Sequence, residues 1–147
     1  MVLATAIPLG AQYDAPPYRI SEITAHLFYN YTGALSENII DNPDFILWNT
    51  IIGEGSAAEP SDATLVKVFL EGEPDSYEPG RRVVLTSTQE GTVISDTADL
   101  GVFDTEGYAV GFWLQGTGCF PIELEARLIG QSGDSTMNAQ IDFYCGE

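Results

Sequence analysis

The chain has 147 residues, 44% of them hydrophobic, with 22 acidic and five basic side chains and a formal net charge of −17. That length suits one domain with its own core, and so much apolar content excludes a disordered chain. The charge excludes a nucleic-acid binder, because each phosphate contact needs a cation, and Lys67 with four scattered arginines makes no basic stripe.

Residues 1–12, MVLATAIPLGAQ, have two readings. One is the end of a secretory signal with cleavage after Ala11, although the positively charged start is missing. The other is a first strand, with Val2, Ala4 and Ala6 alternating with Leu3, Thr5 and Ile7. Residues 13–147 then form a single domain. No apolar run approaches the roughly 20 residues that cross a bilayer as a helix.

Period-two alternation, the signature of a half-buried strand, dominates the rest of the chain. From Glu22 to Tyr31, Ile23, Ala25, Leu27, Tyr29 and Tyr31 share one face, and His26 lies on the other. Gly33 to Ala63 breaks the rhythm. It predicts a helical turn near Ser36–Ile40 and a buried strand from Phe45 to Ile52. Its apolar content requires packing on the body. Strands are predicted at Thr64–Leu70, Arg82–Ser87 and Gly91–Ser95, the last two joined as a hairpin through Gln89-Glu90-Gly91. Further strands are predicted at Tyr108–Gln115, Ile122–Ile129 and Ala139–Cys145, with Gly- and Pro-containing turns between. About seven to nine short alternating strands define an all-β, antiparallel β-sandwich of jelly-roll or Ig-like type.

Two cysteines, Cys119 and Cys145, cannot make a four-thiolate zinc site. A single disulfide is their simplest use. It closes a loop worth roughly 3.5 kcal/mol, and it places the protein in a secreted or periplasmic setting. The alternating pattern puts Cys145 on the buried face with Ile141 and Phe143.

Catalytic patterns are weak. His26 is the single histidine, it sits mid-strand on the polar side, and no G-x-S-x-G elbow is present. Glu123 and Glu125 lie two apart on one strand face, which reads as a wet face before it reads as a carboxylate pair of a small hydrolase. Gly53-Glu54-Gly55 has no lysine and would repel phosphate.

Calcium is the one metal whose oxygen ligands are plentiful here. Asp96, Asp99, Asp104 and Glu106 form one concentration of them, and Glu37, Asp41 and Asp44 another, neither with EF-hand spacing. Among the aromatics, Trp113 stands between Gly111 and Gln115 on the side of its strand opposite the core, where it suits a sugar ring or a partner side chain. Burial of Trp113 beneath the Gly33–Ala63 segment is the plainer alternative. Tyr29, Tyr31 and Trp48 join Trp113 as binding candidates. Asn30-Tyr31-Thr32 is a glycosylation sequon.

The acidic surface serves solubility and admits a cationic protein as partner. The expected function is therefore a non-enzymatic binding module for another macromolecule, with a carbohydrate-binding module as the alternative and no cofactor beyond calcium.

Overall fold

The computed structural model describes residues 18–74, 79–101 and 107–146. Residues 1–12, with their two readings, lie outside the described residues, as do Asp104 and Glu106. Seven strands form among the described residues. They are β1 (Arg19–Phe28), β2 (Ala63–Glu71), β3 (Arg82–Gln89), β4 (Thr92–Asp99), β5 (Gly107–Gln115), β6 (Ile122–Ile129) and β7 (Ser135–Ile141). In β6, Ile122, Leu124, Ala126 and Leu128 are buried while Glu123, Glu125 and Arg127 are exposed, so the alternation in sequence becomes a dry face and a wet face.

The strands make two antiparallel sheets, ordered β1-β2-β5 and β4-β3-β6-β7, with no helix among the described residues. Their apolar faces meet in one core, in which Ala25, Leu27, Val66, Val68, Val83, Leu85, Leu128 and Ile141 are almost wholly buried. This is the expected all-β sandwich. The β3–β4 hairpin also forms as expected. Glu90 (φ 48°) and Gly91 (φ 78°) both take positive φ at its tip, the two-residue turn whose twist matches that of the strands.

One flank of the sandwich is stitched at one end. Gln131 takes the Tyr18 amide at 3.0 Å and returns a bond to the Tyr18 carbonyl at 2.9 Å, and the Ile20 amide donates to Ser135 Oγ at 2.9 Å. These bonds tie the start of β1 to β7 and the turn before it. Nearby, buried Arg81 stacks 3.9 Å from the centre of the Tyr18 ring.

Three expectations need correction. Ser36–Ile40 is not helical. It runs extended along the outer edge of β1, where the Ser36 amide donates to the Leu27 carbonyl and the Ile39 amide to the Ala25 carbonyl. Ser36 Oγ and Asn38 Oδ1 accept the Leu27 and Ala25 amides in return, at 2.9 and 3.0 Å. Those side-chain oxygens compete with a helical ladder and win.

Phe45–Ile52 is not a buried strand. It makes a single bridge, Trp48 to Tyr144, and Asn49 (φ 46°) with Gly53 and Gly55 turns the chain repeatedly. Leu47 is buried, but Ile46, Trp48, Ile51 and Ile52 stay exposed, so the Gly33–Ala63 segment packs on the body only in part.

The last strand is Ser135–Ile141 rather than Ala139–Cys145. The disulfide Cys119–Cys145 forms, with Cα atoms 4.5 Å apart. Cys145 is exposed rather than buried, because the chain has left the sheet by then.

Candidate binding site

The flank opposite the stitched one is bounded by β4 and β5, the outermost strands of their sheets. An open cleft of about 410 Å³ lies there between the sheets, lined by Ser87, Ile94, Trp113, Leu114, Thr117 and Ile122 among others. The cleft exists because the sheets differ in width, four strands against three. Ile94 pairs with buried Ser87 and so belongs to the inner face, yet it is 59% exposed.

β5 itself is an unusual boundary. Gly107–Gln115 carries no charged residue, in a chain of net charge −17, and its pairing with β2 runs without a register shift from Glu71↔Gly107 to Ala63↔Gln115. Edge strands are usually blunted by lysine, proline, a bulge or a covering loop. From Ala109 to Gln115, β5 has neither lysine nor proline, and it has no bulge. By contrast the edge of β1 is covered by residues 34–40, and β4 carries Asp96 and Asp99.

Trp113 stands on the outer face of β5, 50% exposed. Burial under the Gly33–Ala63 segment does not occur. Its ring meets Phe28 edge-on, with centroids 5.5 Å apart. The two come from strands separated by β2, and Ala63, which pairs with Phe28 and with Gln115, lets them close over it. Leu65 pairs with Trp113 and its Cδ1 lies 3.3 Å from where a Cβ on Gly111 would stand, so Leu65 and Phe28 border the tryptophan on this face. Lys67 sits on the same face of β2.

The remaining candidates do not converge with Trp113. Tyr29 is buried, and Tyr31 is 80% exposed in the turn after β1, where strand parity has ended. Trp48 is half exposed beside the C-terminal residues, bridged to Tyr144. Asp96 and Asp99 project from opposite faces of β4, as their partners Leu85 (buried) and Arg82 (exposed) show. Among the described residues no three His, Cys, Asp or Glu side chains gather as a metal site.

Glu123 and Glu125 share the wet face of β6, flanked across the sheet by Gln140 and Asn138 in a shallow hollow of about 560 Å³. Both are exposed to the same solvent, whereas acid–base work needs environments that set two carboxyls apart. His26 is half-buried rather than solvent-facing. Its Nδ1 donates to the Ser36 carbonyl at 2.9 Å, leaving Nε2 to accept from Thr24 Oγ1 at 3.0 Å in the neutral ring. Nδ1 thus holds the residue 36 segment to β1, while Nε2 is engaged within β1 itself.

What sequence reading missed is that Ala109–Gln115 forms the outer edge of its sheet among the described residues. Its lack of charge was legible in Gly107–Gln115, but its position at the end of a sheet follows only from the strand order. Comparison with protein-family models, with curated proteins and with solved structures finds no match.

Proposed function

We propose that this protein is a non-catalytic binding module that accepts an extended segment of another polypeptide as an added strand beside β5. The observation that carries this reading is the uncharged, unbulged Ala109–Gln115 edge of β5 bordering an open cleft, while on the opposite flank the start of β1 is stitched to β7. In strand addition, main-chain hydrogen bonds supply affinity and alternate side chains supply specificity. Here the inward side chains of the added strand would meet Ile94, Leu114 and Ile122, which line the cleft. The Cys119–Cys145 bond supports work outside the cytosol, in a secreted or periplasmic setting.

A library of random nine-residue peptides panned against the protein tests this. Selected peptides should slow amide hydrogen exchange along Ala109–Gln115, and Ala109→Lys with Gly111→Lys should weaken them at least tenfold by placing charge beside the edge. Selected peptides that leave β5 exchange unchanged would defeat the proposal.

The half-exposed Trp113 beside Gly111 favours one second reading, a carbohydrate platform on the outer face of the same sheet. Affinity electrophoresis through polysaccharide gels should then show retardation that Trp113→Ala abolishes. Equal mobility in every gel removes this reading.

A further inference from the structure

We infer that the strand this protein accepts is a basic one, with an apolar side chain set over Ile94 and a lysine or arginine two residues away opposite Asp96. This rests on the strand-accepting reading and names the chemistry of the partner.

The inner face of β4 carries Ile94 and then Asp96, whose partners on β3 are Ser87 and Leu85, both buried. Ile94 and Asp96 are exposed because no strand of the described three-stranded sheet reaches over β4. A strand added to β5 would lie ~4.8 Å further out, ~10 Å above β4, and its alternate residues would face these two positions. The position over Ile94 calls for an apolar residue. The position over Asp96 calls for a cation, since an apolar cover would strip water from a carboxylate and leave it uncompensated. The long stems of lysine and arginine bury along apolar surface while the charge reaches the acid. The net charge of −17 draws such a partner from a distance.

Other occupants lack that chemistry. The first 18 residues contain no lysine or arginine. A second copy carries the same large negative charge and is repelled.

The competing role for Asp96 is an inward charge that keeps β4 from pairing edge to edge. That role predicts no preference for a cation, so the panning experiment separates the two. Peptides selected on the native protein should carry a basic residue two positions from an apolar one. Exchanging that residue for Glu should weaken binding about tenfold at low salt and less at high salt. Selection on Asp96→Lys should replace the basic residue by an acidic one, whereas Asp142→Lys, beyond the end of β7, should leave it in place. Selection without a basic preference, or an equal response to both variants, overturns the inference and leaves strand addition standing. Failure to select any peptide that protects β5 overturns both, and growth of dimer in place of peptide binding points to a second copy instead.

Discussion

Gly72 shows how much one hydrogen atom in place of a methyl can matter. A Cβ there would stand 1.8 Å from Tyr18 Cδ1, inside the ring that Arg81 stacks upon. Gly72→Ala must push that ring aside, and chemical denaturation should show a loss of about 1–3 kcal/mol, the range for overfilling a packed site. Ser36 is the polar counterpart. Its hydroxyl accepts the buried Leu27 amide and donates to the Glu37 carbonyl at 2.7 Å. Ser36→Ala should cost about 1–3 kcal/mol by leaving that amide without its partner, with faster hydrogen exchange at Leu27 as the local signature. Neither role was legible in sequence. Both depend on contacts over a distance that no local pattern encodes, from Gly72 to Tyr18 and from Ser36 back to β1.

At the scale of the element, alternation told most of the story where one face is dry and the other wet. β6 was readable to the residue for that reason, and β1, β2, β3 and β5 nearly so. It failed at β4, all of whose positions but Ala98 are exposed, because an overhanging strand buries neither face and so has no binary pattern to display beyond Ser95. It failed again from Phe45 to Ile52, where an apolar run signals burial but cannot show that Asn49 enters the left-handed region and ends the extension. The candidate site suffered similarly. Trp113 was readable as an outward residue of its strand, whereas the cleft beside it is a product of sheet width. This origin makes a prediction. Ile94→Thr should leave the denaturation midpoint almost unchanged, since the side chain is already wet, yet weaken selected peptides severalfold. A large loss of stability would mean that the cleft is closed in solution.

Across the molecule as a whole, 22 acids and five bases repel one another more than they attract. Raising salt from about 10 to 150 mM shortens the Debye length from roughly 30 to 8 Å and should stabilise the fold by ~1 kcal/mol, a rise in Tm of about 4 °C by thermal melting. The disulfide acts on the same scale, tying the loop before β6 to the segment beyond β7 across 26 residues. Replacing both cysteines by serine should lower stability by about 3.5 kcal/mol in the chain-entropy account, and reductant should do the same to the native protein. The stitched flank, where Gln131 and Ser135 hold β1, has a consequence for stoichiometry. A sandwich exposed on both sides has two valences and grows into fibres. With β1 stitched to β7 on one side, the proposed guest has a single flank to enter, and titration calorimetry should count one peptide per protein.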